Sequence, residues 1–145
     1  MTLLKTLMTT AACTIAISAA QAASVPIENA SFEQKWNGWG DTDPSAISGE
    51  AYDGSKSAKL EGAGAKAEQV VSVHEDTNYI LTAWVKGKGT IGITAGANTK
   101  TADIESSDWQ QATVTFNSGS SSSVTIFSAY NGGKGRFDAF SLESK

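Results

Sequence analysis

The sequence predicts an all-β domain, a sandwich of two antiparallel sheets. Three observations carry that expectation. No long stretch shows the 3.6-residue periodicity of an amphipathic helix. Short runs of β-branched and aromatic residues instead alternate with clusters of Gly, Ser, Asn and Asp, a spacing that suits a sandwich. Within the longer runs, apolar and polar residues alternate with period two, as in a strand with one buried face.

The first segment stands apart from the fold. Residues 1–5 bring an early positive charge, residues 6–20 are uncharged and rich in Ala, Leu, Ile and Met, and Ala20-Gln21-Ala22 puts small residues where a signal peptidase reads. These parts make residues 1–22 a secretory signal peptide, cleaved after Ala22 or its neighbour Ala23. A membrane-spanning helix needs roughly 20 apolar residues, and the Thr and Ser residues dilute this run. Thr10-Ala11-Ala12 lacks the Leu expected before a lipidated cysteine at Cys13. Residues 23–145 then form one exported domain, secreted or periplasmic, with no membrane insertion after processing. Cys13 is the chain's one cysteine, so the exported part relies on packing or a metal rather than disulfides.

A short strand is expected within 25–32, followed by strands at 46–48, 57–61, 68–73, 78–86, 90–95, 100–104, 110–116, 122–129 and 136–142. Turn chemistry marks Asp53-Gly54, Gly87-Lys88-Gly89, Asn117-Ser118-Gly119 and Asn131-Gly132-Gly133. Residues 63–67 are the one place where a short helix competes. Alternation puts Tyr79, Leu81, Ala83 and Val85 on a core face, with Ile80, Thr82, Trp84 and Lys86 opposite. It likewise sets Ala112, Val114 and Phe116 against Gln111, Thr113 and Thr115, and Val124 and Ile126 against Thr125 and Phe127. Trp84 and Phe127 among Thr and Gln suggest an exposed recognition face.

The formal charge of −4 makes the chain a poor ligand for nucleic acid, whose affinity comes from basic patches. It also disfavours strongly anionic polymers, unless a local basic patch overrides it. Catalytic signals are thin. His74, the one histidine, precedes Glu75-Asp76 in a polar connection of the kind found at surfaces, and no motif brings a Ser and a carboxylate to it. A zinc site needs several His or Cys ligands. Fifteen acidic residues always allow some pair of carboxylates, so a glycosidase pair carries no specificity. No glycine-rich phosphate loop is present. The sequon Asn29-Ala30-Ser31 falls where backbone burial is needed.

Asp138 stands between Phe137 and Phe140, and a carboxylate buried there needs compensation. Arg136 in a salt bridge and a bound calcium ion both supply it, with Glu33 and the turn at Asp53–Lys56 offering further oxygen ligands. The aromatic inventory for stacking on flat sugar faces is Trp36, Trp39, Tyr52, Trp84, Phe127 and Tyr130. Trp39 and Trp109 are assigned to the core; Trp84, Trp36 and Tyr130 are the leading functional candidates.

At this point a resemblance emerges. Asn29-Ala-Ser-Phe-Glu33, Asn37-Gly38-Trp39, the run from Ala51 to Leu60, Asn78-Tyr-Ile-Leu-Thr-Ala-Trp-Val-Lys86, Asp108-Trp-Gln-Gln-Ala-Thr-Val-Thr-Phe116 and Phe137-Asp-Ala-Phe-Ser-Leu142 follow in order. Together they resemble the calcium-containing carbohydrate-binding modules of the CenC-like, cellulose- and xylan-binding type. The resemblance implies a jelly roll without catalytic activity. It also implies a structural Ca2+ held by the side chains of Glu33 and Asp138 and by carbonyls near Ser31, Asp53 and Lys56. Two positions depart from the group: Ala30 replaces a Gly, and Ala139 stands where an acidic residue often follows. The expected ligand is a poly- or oligosaccharide, stacked on Trp84, Phe127, Tyr130 and Trp36 and hydrogen-bonded by Lys86, Gln111 and Thr113, with a polysaccharide-degrading enzyme acting nearby. The alternatives are a polysaccharide lyase or hydrolase on a jelly roll, and a structural protein of the envelope or matrix.

Overall fold

Eight strands alternate with turns in a computed structural model that describes residues 22–145, and the all-β, jelly-roll expectation holds. The signal peptide assigned to residues 1–22 lies, apart from Ala22, outside the described residues. The strands are β1 (Gly40–Thr42), β2 (Ser45–Ser48), β3 (Ser57–Leu60), β4 (Lys66–Ser72), β5 (Asn78–Ala95), β6 (Asn98–Asn117), β7 (Ser123–Ala129) and β8 (Gly135–Ser144). All pairings are antiparallel.

The long β5–β6 hairpin generates both layers. The first half of β5 pairs with β8 from Tyr79 to Gly87, and its second half pairs with β7 from Thr90 to Thr94. One sheet therefore runs β2-β3-β8-β5-β6 and the other β1-β4-β7-β5-β6. The sequence pattern splits β5 and β6 into two strands each, with a turn at 87–89. What stands there is a bend. Gly87 adopts φ +94, open to glycine but costly for other residues, and the register to β6 shifts between Val85 and Gly87. Continuous pairing on both sides of the bend keeps each hairpin arm in one strand while carrying it from layer to layer.

The predicted alternation sets the core. Tyr79, Leu81, Ala83, Val85, Ala112, Val114, Phe116, Val124 and Ile126 are all buried between the sheets. The larger aliphatic and Phe side chains among them each contribute roughly 1.5–3 kcal/mol of transfer free energy. Residues 63–67 form no helix, since the chain turns at Gly62 and enters β4 at Lys66.

The strand expected within 25–32 does not form; the one bridge nearby joins Ser24, just before that range, to Glu143. Residues 28–38 instead form successive turns, because side chains satisfy the backbone that a sheet would otherwise pair. Asn29 Nδ2 donates to the carbonyls of Lys35 and Asn37, and its Oδ1 accepts from Gln34 N–H. This commits the sequon side chain to the fold. The left-handed backbone falls on Asn29 (φ 50) and not on Ala30. The segment plugs one end of the core with Phe32, which packs on Trp39 at 4.7 Å and Phe140 at 6.1 Å. Trp39 is core, as expected.

Candidate functional site

The site is on the outer face of the β2-β3-β8-β5-β6 sheet. Trp84 projects there from β5, in register with Gln111 on β6 and Asp138 on β8. Thr82 faces Thr113 one step along. Ile80, Thr82, Trp84, Gln111, Ala139, Ser141 and Glu143 line an open groove of about 400 Å³.

Tyr52 comes from the β2–β3 loop, residues 49–56, which folds over this face. Its ring stacks on Trp84 with centroids 3.9 Å apart and planes within 11°, and 46% of the residue remains exposed. Trp109 completes the group, 6.2 Å from Tyr52. Trp109 is half-buried on this outer face, not core. The alternation that puts Gln111 and Thr113 outward puts Trp109 outward too, so the signal was present in the sequence. The β5–β6 register adds a local cause: Ser107, Asp108 and Trp109 together oppose Lys86 alone, and that irregularity aims the indole at the loop. Tyr52 had weaker grounds in the sequence, because its place depends on contacts with distant strands.

Asp138 supplies one of those contacts. Its carboxylate Oδ2 accepts from the N–H groups of Tyr52 and Asp53, both at 2.9 Å, and Oδ1 accepts from Ala139 N–H at 2.8 Å. Asp138 is fully buried, and burial pushes its carboxyl up to about 6 against the pull of those N–H donors. The salt-bridge alternative fails, since Arg136 turns instead to Ser48 Oγ at 3.0 Å and Glu50 Oε2 at 3.4 Å. Glu33 binds the far end of the same loop, accepting from Ser55 N–H at 2.7 Å and Lys56 N–H at 2.9 Å, bonds that hold its carboxyl below the usual range. Ser31 Oγ donates to Asp53 Oδ2 at 3.1 Å. The residues expected to hold a calcium ion thus gather around one turn. Among the described residues no cationic side chain stands against the buried Asp138 carboxylate, and Asp53 adds repulsion. That chemistry fits a divalent cation. Among the described residues no three His, Cys, Asp or Glu side chains converge, so such a site would lean on carbonyl oxygens.

Glu50, at the start of the loop, is bonded by Lys86 Nζ and Arg136 Nε. The Lys86 bond is the main reason its carboxyl stays below the ordinary value.

Lys86, Gln111 and Thr113 therefore share a face with Trp84, as expected. Phe127 does not. It pairs with Gly92 on the opposite sheet and is 8% exposed, its ring lying over Gly92 with Lys66 Nζ 4.7 Å from its centroid. Trp84 and Phe127 part company because β5 changes layers between them. Tyr130 is half-buried against the core, its N–H bonded to Ala65 O. Trp36 is half-buried and packs edge-on to Phe32 at 6.0 Å. Neither joins the Trp84 group. His74 lies in an exposed connection, tied through its backbone to the Tyr79 and Ser118 hydroxyls.

Known proteins share this architecture. Residues 26–132 match the family described as a carbohydrate binding domain. Exochitinase 1 of Streptomyces olivaceoviridis is 30% identical over 141 residues, covering 91% of this chain; the chain spans 24% of that enzyme's length. TmCBM61, solved with β-1,4-galactotriose, superposes with a TM-score of 0.69 at 16% identity, over 85% of this chain and all of that one. A family 16 carbohydrate-binding module reaches 0.63 at 25% identity, over 80% of this chain and 97% of its own.

Proposed function

The chain belongs to the carbohydrate-binding domain family, and from that premise we propose that it is an exported, non-catalytic protein that binds a poly- or oligosaccharide on the outer face around Trp84. The observation that carries this reading is the Tyr52–Trp84 stack with Trp109 beside a polar groove. Flat sugar faces pack on such rings, while polar neighbours orient the hydroxyls. Gln111 and Thr113 supply hydrogen bonds along the groove, and Lys86 supplies them at its charged end. A preformed stack also keeps the ordering cost of binding low. Trp36, Phe127 and Tyr130 drop out of the binding set, and Tyr52 and Trp109 replace them.

Calcium belongs to the proposal as a structural ion. The Glu33 and Asp138 side chains would hold it, with carbonyls near Ser31, Asp53 and Lys56. When bound it supplies positive charge to the buried Asp138 carboxylate. Secretion through the 1–22 signal peptide would place the protein outside the cytoplasm, alongside an enzyme degrading the same polymer.

The test is a glycan panel read by isothermal titration and insoluble-polysaccharide pull-down. Galactan and chitin come first, after the galactotriose complex and the exochitinase relative. Trp84→Ala should weaken binding by roughly five- to tenfold, as loss of one stacked ring costs roughly 1–1.5 kcal/mol. Wild-type silence across the panel, or full binding by the variant, would sink the reading.

A further inference from the structure

The row of the outer face next to Trp84 is cationic. Lys59 on β3, Arg136 on β8 and Lys86 on β5 are directly paired across three neighbouring strands. Strands lie roughly 4.8 Å apart, and like charges directly opposite destabilise a sheet. Lys134 adds a fourth cation near Glu61 at 3.9 Å. Among the described residues, Glu50 and Glu61 are the carboxylates that pair with these four. The patch is therefore net positive on a chain whose formal charge is −4.

Arg136 gives the patch its chemistry. Its Nε serves Ser48 and Glu50. Its Nη groups make no hydrogen bond to the described residues and are not fully buried, and 25% of the side chain is exposed, so the guanidinium fork reaches solvent. Such a fork matches a carboxylate in two parallel bonds. Glu50 shows that Lys86 and Arg136 already converge on a carboxylate. Trp84 is two residues from Lys86 on the same strand face, so rings and cations form one continuous surface.

We propose that the polysaccharide bound here carries carboxylates, its uronic acid groups read by Arg136 with Lys86 and Lys59 while neighbouring rings stack on the aromatic group. This rests on the reading of the Trp84 face as a carbohydrate surface. The acidic remainder of the domain would repel an anionic polymer everywhere else, confining it to this patch.

The experiment compares polygalacturonate and glucuronoxylan with their carboxyl-reduced forms, which keep the sugar backbone and lose the charge. A sulfated dextran and neutral galactan and chitin complete the set. Native uronate polymers should bind about tenfold tighter than their reduced forms, with the advantage shrinking as salt screens it. Arg136→Gln should erase most of that advantage. Arg136→Lys, which keeps the charge but not the fork, should lose part of it and guards against misfolding. Lys100→Gln, an equal charge change at an exposed position of β6, should keep it whole. Equal binding of native and reduced polymers overturns the proposal, and tighter binding of sulfated dextran overturns the carboxylate assignment. Binding to neutral glycans with no preference for uronate sinks this inference alone, whereas silence toward every polymer sinks the carbohydrate reading beneath it.

Discussion

Ala139 shows how one residue position shapes the groove. The β5–β8 register slips by one between Thr82 and Trp84, so β8 carries an extra residue there, and Ala139 takes φ 50. The bulge lets Asp138 reach the loop N–H groups while Phe137 and Phe140 both stay in the core. An L-residue in the left-handed region costs roughly 1–2 kcal/mol, and glycine gives back about 0.5–1 kcal/mol in unfolded-chain entropy. Ala139→Gly should therefore raise stability by about 0.5–1 kcal/mol in urea denaturation, with an unchanged slope. A loss of stability would mean that the methyl group packs into the groove wall more than its conformation costs.

The element that makes the site is the 49–56 loop. It is fastened at three points: Glu50 to Lys86 and Arg136, Tyr52 and Asp53 to Asp138, and Ser55 and Lys56 to Glu33. The Glu50 fastening has a pH signature. Its folded carboxyl lies below 4.5, chiefly through the Lys86 bond, with Arg136 adding attraction. A lowered carboxyl contributes stability above the unfolded value and loses it as pH falls through the folded one. Below about pH 4.5 the wild-type melting temperature should fall more steeply than that of Glu50→Gln, and matching acid limbs would refute the assignment. On the proposed calcium reading, the Asp138 fastening responds to metal. Calcium should raise the wild-type melting temperature and chelator should reverse it, because a ligand bound only by the folded state stabilises it. Asp138→Asn should abolish the response, and an unchanged wild-type melt in chelator would remove calcium from the site. The loop also marks where sequence reading stops. Trp84, Gln111 and Thr113 were legible as one face because strand period fixes it; Glu33 and Asp138 were named by a family pattern as metal ligands, and in the structure both accept loop N–H groups. Tyr52 stood only in the wider aromatic inventory, since its place depends on carboxylates 19 residues upstream (Glu33) and 86 residues downstream (Asp138) in the chain. Period two gives the face within a strand but not the sheet, which is why Phe127 was grouped with Trp84.

At the scale of the molecule, the hairpin that joins the layers also separates their outer faces. The face around Trp84 is open, aromatic and charged, while Phe127 on the other layer covers a glycine. A methyl at Gly92 would collide with the Phe127 ring, so the pair packs as a unit. That arrangement assigns the two aromatics different work, although both alternate out of the core. Phe127→Ala strips a nearly buried ring and should cost about 3 kcal/mol of stability. Glycan affinity, measured well below the lowered melting temperature, should stay at the wild-type value. Trp84→Ala should do the reverse, losing affinity at a smaller cost in stability. Because the two rings lie on opposite outer faces, Trp84 against Tyr52 and Phe127 against Lys66 and Gly92, the double variant should show additive stability changes within about 0.5 kcal/mol. A Phe127→Ala protein that remains folded yet loses the glycan would mean that the polymer reaches around both sheets, and the site would then have to be redrawn to include the second face.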